Sequence, residues 1–568
     1  MYIENVPNRS SKPTVLLRQG WREGNRTPKR TIANLTHWPT HVVDALRMAL
    51  KGKQLVPKDE RYSIERSLPH GHVQAVLGTI KKLGLDTLIA SKPCRERDLV
   101  VAMVAQRIID PCSKLATTRE WHDTTLAQEL ALEDADEDDL YAAMDWLLKR
   151  QKRIENKLSH RHLGEGSVVL YDVTSSSYYG RTCPLARRGH NRDGTKLACV
   201  VYGLLADPAG RPVSVDVYEG NTGDPSTVPD QVDKLRKRFG LSRVVLVGDR
   251  GMLTQTQIQT LREYPGLGWI SALRSEAIRG LLEGGDLQLS LFDRHNLAEI
   301  TSEDFPGERL VVCYNPLLAE DRKRTREELL EATENRLQKI AAEIARRTKK
   351  ALTAGEIGIK AGKALKQYKV GKHFKLTIND SGLKWERNTE SIERETKLDG
   401  IYVVRTSEAS QRLSAENTVR TYKSLSLVEQ AFRCLKGVDL LVRPIRHRTV
   451  DHVRAHVFLC ILAYYVECHM REALAPLLFQ DEELDIARQT RDPVAKAQPS
   501  RSVKQKKASR KTADGFEAQS LATLLKHLAT RTKNHCRIKS DDCPITFVEH
   551  AQPTPLQQRA YQLLGLSP

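Results

Sequence analysis

Two short apolar runs in this chain end alike: Val168-Val-Leu-Tyr-Asp172 and Val244-Val-Leu-Val-Gly-Asp249 each deliver a carboxylate where a buried strand leaves its sheet. Continuous apolar runs bounded by turn formers are the pattern of strands covered on both faces, and ligands of open α/β sheets collect outside the carboxyl ends of such strands. A single Asp at a strand end is explained by a turn or a helix cap. Two of them, in a chain with 90 Lys and Arg against 71 Asp and Glu and a net charge of +19, point instead to hard oxygen ligands for divalent cations beside a polyanion. Nucleic acid is the expected partner.

The segments around these runs have the texture of a sheet. Runs at 197–205 and 213–217 are joined by Ala206-Asp-Pro-Ala-Gly-Arg-Pro212, which predicts a hairpin, and 229–239 has helical spacing before the run at Val244. A three-strand meander, a helix and a fourth strand open a ribonuclease-H-like fold. The fold class is therefore α/β, a ribonuclease-H-like catalytic core of mixed sheet and flanking helices. Upstream, about 40–160 is helical, with core stripes at Leu99, Val100, Met103, Val104 and Ile108 and at Leu140, Met144 and Leu147. Segments 14–23 and 27–35 flank the Gly24-Asn25 turn, so a hairpin is expected whose Arg18, Arg22, Arg26, Lys29 and Arg30 either keep an edge soluble or bind DNA.

Downstream, 319–352 is charge-dense with Leu330, Leu337 and Ile344 seven apart, predicting a long helix or helical hairpin, flanked by strand-like pieces at 309–314, 374–378 and 400–405. Residues 488–511 hold nine Lys or Arg against one Asp and predict a flexible basic linker. The expected divisions are an N-terminal hairpin and DNA-binding region (1–66), a helical region (67–164), the first part of the core (165–273), an insertion (274–399), the last part of the core (400–485), a basic linker (486–515) and a C-terminal helical region (516–568). Ten cysteines without a C-x-x-C pair read as small buried hydrophobes, and His535-Cys536 with Cys543 fits no common zinc spacing. No apolar run approaches the roughly 20 residues that span a bilayer, and the N-terminus lacks a signal pattern, so a cytoplasmic protein with no membrane partner is expected.

A third acid comes from Tyr422-Lys-Ser-Leu-Ser-Leu-Val-Glu429-Gln-Ala-Phe-Arg-Cys-Leu-Lys436 on a predicted helix. Residues three or four apart share one side of a helix, so Glu429, Arg433 and Lys436 line up, with Tyr422 on the same face. Tyr422, Glu429 and Lys436 fit a Y-x2-R-x3-E-x6-K frame, and the segment resembles the signature of bacterial insertion-sequence DDE transposases of the IS-four-like superfamily, closest to its IS-sixteen-thirty-four branch. Tyr171-Asp-Val-Thr-Ser-Ser-Ser177 resembles that family's first-Asp block, Gly220-Asn-Thr-Gly-Asp224 a strand-end block, and Val247-Gly-Asp-Arg-Gly-Met252 the second-Asp block. Leu425 stands at the frame's Arg position, which would move that phosphate contact to Lys423 or Arg433. The likeness covers about 160–470.

The resemblance implies that Asp172, Asp249 and Glu429 bind two Mg²⁺ ions, with Mn²⁺ as a substitute, and catalyse DNA cleavage and strand transfer. It further implies recognition of terminal inverted repeats and target DNA by a homodimer on paired ends, in a bacterial, nucleoid-associated setting, and an α+β domain inserted before the last helix of the core. Tyr422, Lys423, Arg433 and Lys436 are the expected DNA contacts within the frame. Arg443, Arg446 and Arg448, with Arg187, Arg188 and Arg192, are expected on phosphates because a forked guanidinium suits them, whereas His456 reads as a core histidine. Two other readings stay open: a ribonuclease-H-like nuclease that cuts without joining, and a catalytically inactive, domesticated DNA-binding protein, which Leu425 favours.

Overall fold

The computed structural model describes residues 1–8, 12–24, 26–53, 62–292, 296–347, 351–380, 382–538 and 546–568. Asn25 of the expected N-terminal turn and Cys543 lie outside the described residues. The chain divides into two compact units. The smaller contains Met1–Leu68 and Thr532–Gln552. In it, β1 (Tyr2–Val6), β2 (Thr14–Gly20) and β3 (Lys29–Asn34) form an antiparallel sheet. Glu4 on β1 pairs with Arg18 at 2.9 Å and Lys29 at 3.3 Å, while Arg22, Arg26 and Arg30 are exposed. A second sheet of this unit begins with β4 (Tyr62–Pro69).

The larger unit is Pro69–Arg531 with Pro553–Pro568. Its sheet starts as the antiparallel meander β5 (Ser167–Ser177), β6 (Cys199–Ala206) and β7 (Pro212–Glu219). Next, β8 (Val244–Val247) lies parallel to β5 on its other side, and β9 (Leu267–Ala272) lies parallel to β8. The order β7-β6-β5-β8-β9 is compatible with a ribonuclease-H-like core. Beyond β9 the sheet is extended by β10 (Leu297–Ile300) and β11 (Arg309–Tyr314). After β11 the chain departs as the helices Pro316–Arg346 and Ala354–Gln367 and the hairpin β12 (Phe374–Asn379) and β13 (Gly382–Arg387), which share a core of Leu330, Leu337, Ile357, Ala361 and Phe374. It returns through β14 (Ile401–Thr406), which pairs with both β11 and β9.

The insertion drawn at 274–399 needs correcting, because β10 and β11 fall inside it and belong to the main sheet. Leu310, Val311, Val312 and Cys313 are all fully buried, the signature of an interior strand covered on both faces. The C-terminal region expected to be helical is likewise divided. β15 (Thr532–Ile538) and β16 (Thr546–His550) join β4 in the smaller unit, between the helices Leu521–Ala529 and Pro555–Leu564 of the larger.

Three helices pack on one another at the β7 side of the sheet: Arg95–Ile109, Glu137–His162 and Val450–Ala473. The second begins in a capping box between Asp136 and Asp139, carries acids in its first turn and bases in its last, and so matches the helix dipole at both ends. The third is apolar around its whole circumference, as a helix enclosed by its neighbours must be. Among the described residues no helix is long and apolar enough to cross a membrane.

The flexible basic linker is also a correction. Residues 501–509 form a helix in which Val503 is buried and Lys506 is only 2% exposed. The Lys506 ammonium donates to the carbonyl oxygens of Ala475 (2.8 Å), Leu478 (3.1 Å) and Gln480 (3.2 Å), groups that need donors where the preceding helical segment ends. A count of charges could not separate this structural lysine from its solvated neighbours.

Candidate active site

Asp172 and Asp249 are brought together by register. β5 and β8 run parallel with Leu170 opposite Val247, so each Asp stands two residues beyond that pair on strands about 4.8 Å apart. Asp172 Oδ1 accepts from the Val173 N–H at 2.7 Å. Asp249 Oδ1 accepts from the N–H groups of Gly251 (3.0 Å) and Met252 (2.7 Å), which fixes the carboxylate in the turn that ends β8.

The third acid arrives from above the sheet. Tyr202 on β6 pairs with Thr174 on β5, and side chains of directly paired residues share a face, as do those of residues two apart. Asp172 therefore lies on the Tyr202 face. The ring of Tyr202 meets Phe432 edge-on at 5.9 Å, and Phe432 belongs to the helix Leu425–Lys436 that covers β5. That helix buries Leu425, Leu427, Val428, Ala431, Phe432 and Leu435, leaving Glu429 and Arg433 exposed on its rim. Burial, followed by the charges of Asp249 and Glu429, pushes the Asp172 carboxyl up to about 7. Asp249 and Glu429 thus each act on Asp172 through their charge.

Tyr422 faces the same cluster, but from a different helix. The frame is broken at Ser424, with Tyr422 on Ala415–Lys423 and Glu429 on the next helix. Burial and then the negative charge of Asp249 push the Tyr422 phenol up to about 12, so it stays a neutral donor beside the acids. Arg250 also acts on Tyr422, and it is exposed next to Asp249. Leu425, at the frame's Arg position, is packed into the core at 8% exposure and offers DNA nothing. Arg250 was not among the expected site residues, although it stands in the second-Asp block.

The structure removes Lys423 from the expected DNA contacts. Its ammonium donates to the carbonyls of Pro493, Val494 (3.1 Å) and Ala495 (3.1 Å), fastening that segment to the helix Ala415–Lys423. Lys436 is half-buried and donates to the Ser175 carbonyl and to Asp193 Oδ1 at 3.3 Å. Arg443 joins the same carboxylate at 2.6 Å. Asp193 is the residue that sequence reasoning missed: its side chain is 4% exposed, and its other oxygen accepts from the Ser177 N–H at 2.7 Å. Burial alone would raise it, but the Ser177 N–H, Arg443 and Lys436 hold it below the usual carboxylate range.

Asp193 lies in the loop between β5 and β6, and the serines of the first-Asp block hold that loop in place. Ser175 Oγ donates to the His190 carbonyl and accepts from the Arg192 N–H, both at 2.9 Å. Gly189 lies so close to the Gly220-Asn221 backbone that a Cβ there would sit 2.0 Å from the Gly220 oxygen. Arg192 pairs with Asp224 of the strand-end block and lowers Asp172 through its charge. Arg187 and Arg188 are exposed on the same loop, Arg187 within 3.8 Å of Glu219. Arg446 and Arg448 are exposed beyond Arg443. His456 is buried, with Nε2 2.9 Å from the Val442 carbonyl.

Another acidic group, Cys434, Asp439 and Glu467, places its ligand atoms within 4.8 Å of one another. Arg471 already neutralises it, lying 2.6 Å from Glu467 and 3.1 Å from Asp439, and the Cys434 thiol donates to Glu467. Asp172, by contrast, is raised by burial and by the charges of Asp249 and Glu429, and oxygen donors of this kind are the chemistry a divalent cation takes.

The model of the transposase DDE domain family matches residues 163–466, more than half of the chain and the whole of the site described above. No curated protein matches the chain.

Proposed function

The chain belongs to the transposase DDE domain family, whose substrate is DNA, and from that premise we propose that it is a DNA transposase that cleaves the ends of its element and joins them to target DNA by metal-dependent phosphoryl transfer. The observation carrying this reading is that Asp249 and Glu429 both act through their charge on Asp172, whose carboxyl burial first and these charges after it raise to about 7. Two Mg²⁺ ions, or Mn²⁺ in their place, would be held by these three carboxylates and would supply activation of water or a 3′-hydroxyl and stabilisation of the leaving oxygen.

The protein's own groups account for the rest. Tyr422 offers a neutral hydroxyl beside the acids. Lys436 and Arg443, both anchored on Asp193, set positive charge at the end of β5. Arg192 acts through its charge on Asp172 and Arg250 on Tyr422, so both would attract a phosphodiester to the acids. The exposed Arg187, Arg188, Arg433, Arg446 and Arg448 extend this basic surface. Terminal inverted repeats are the proposed binding sequence, and a homodimer on paired ends is the proposed assembly. The IS-four-like affiliation, the bacterial setting and the inserted arm of 316–396 belong to the same proposal.

Strand transfer is the test. A precleaved oligonucleotide with a free 3′-hydroxyl, incubated with Mg²⁺ and a plasmid, is expected to become covalently joined to it. Cleavage without joining would reduce the protein to a nuclease, and DNA binding with neither reaction would make it an inactive binder. The basic surface carries a separate expectation. If six or more phosphates are neutralised, the affinity for DNA should fall by about a thousandfold or more between 50 and 200 mM salt in a fluorescence-anisotropy titration, and a flat response would contradict the proposed contacts.

A further inference from the structure

A cavity of about 810 Å³ lies between the segment 107–114, the helix Glu137–His162 and the loop 441–449 leading into the helix Val450–Ala473. Its lining is strongly cationic. Arg107 and Lys114 are 6% and 5% exposed, and Arg446 and Arg448 stand at its open side. Glu137 is the one carboxylate in the lining, and Arg443, which also borders the cavity, is already neutralised by Asp193.

Lys114 is the unusual member. A buried ammonium ordinarily ends on a carboxylate or on carbonyls, as Lys506 does. Among the described residues, Lys114 has neither a hydrogen-bond nor an ion-pair partner, and it faces the cavity. Burial and the neighbouring Arg107 pull it down to about 7. The same uncompensated charge is felt by His447, which burial and then Lys114 push down to about 3. A polyvalent anion would compensate Lys114 and Arg107 together. The positive charge of the cavity suits a phosphate carrying two negative charges better than a diester carrying one.

We propose that this cavity binds a phosphate monoester or inorganic phosphate, with Lys114 at its floor and Arg107, Arg446 and Arg448 around the dianion. The assignment is independent of the chemistry at Asp172. Calorimetric titration of the full-length protein with inorganic phosphate is expected to show saturable binding. Lys114→Met should weaken it at least tenfold while raising the melting temperature measured without phosphate, because an unpaired buried charge is removed. The double variant Arg446→Gln, Arg448→Gln changes exposed residues, so it should weaken binding at least tenfold with the melting temperature unchanged, and it carries the test if the first variant fails to fold. Oligonucleotides with a 5′-phosphate or a 5′-hydroxyl distinguish the source: tighter binding of the phosphorylated form assigns the site to a DNA terminus, and equal binding alongside saturable inorganic phosphate assigns it to a free phosphate. No saturable phosphate binding up to about 10 mM, or wild-type affinity in both variants, would overturn the proposal.

Discussion

Replacing Asp172 by Asn is expected to lower DNA cleavage by a thousandfold or more, about 4 kcal/mol of barrier, while making the folded protein more stable at pH 8. Both effects have one origin. Asp172 is held between burial and the charges of Asp249 and Glu429, so its folded-state value of about 7 lies above the ordinary carboxylate value of 3.8. As pH rises from 3.8 towards 7, the unfolded chain releases this proton and the folded chain retains it. Stability therefore falls across that window and stays low above pH 7. Asn keeps the acceptor for the Val173 N–H but never carries the charge. The variant should gain about 2–4 kcal/mol over the native protein at pH 8 and nothing at pH 4, measured by urea unfolding. Equal stability at pH 8 would mean that neither burial nor the neighbouring acids raise Asp172.

Removal of the Asp193 carboxylate should act in the opposite direction on stability. Asp193→Ala leaves Lys436 and Arg443 without their shared partner and the Ser177 N–H without its acceptor, a loss of about 3 kcal/mol. Cleavage should fall by about tenfold to a hundredfold, because Lys436 and Arg443 lose the carboxylate that positions them at the end of β5. Asp193→Asn keeps an acceptor for Ser177 and should recover part of the stability without recovering the rate. An Asn variant as active as the native protein would show that Asp193 holds the loop by shape alone, with no part for the charge that positions Lys436.

The Asp pair was legible because it depends on local pattern. Two apolar runs ending in Asp announce two buried strands, and once they pair in parallel the register places the acids side by side. The Glu429 helix was legible for a similar reason, since Leu427, Val428, Ala431, Phe432 and Leu435 mark its buried face at helical spacing. What the sequence concealed depends on contacts between distant segments. Nothing near Ser424 signals that Tyr422 belongs to a separate helix. Lys423 and Lys506 look like surface charge, and only the fold shows that each is enclosed by backbone carbonyls. Asp193 lies in a loop whose partners are Lys436 and Arg443, more than two hundred residues away in sequence. The strands β10 and β11 look like part of an insertion because β14, which joins β11 to the rest of the sheet, comes only after the arm.

Iron-directed cleavage tests most directly whether the three acids hold a common cation. Fe²⁺ replacing Mg²⁺, with ascorbate and peroxide, generates hydroxyl radicals that cut the backbone beside the bound ion. The full-length protein is expected to be cut near residues 172, 249 and 429 together, with all three cuts lost in Asp172→Asn. Cutting confined to the neighbourhood of Cys434, Asp439 and Glu467, or cuts at the three acids that persist in that variant, would contradict a shared site.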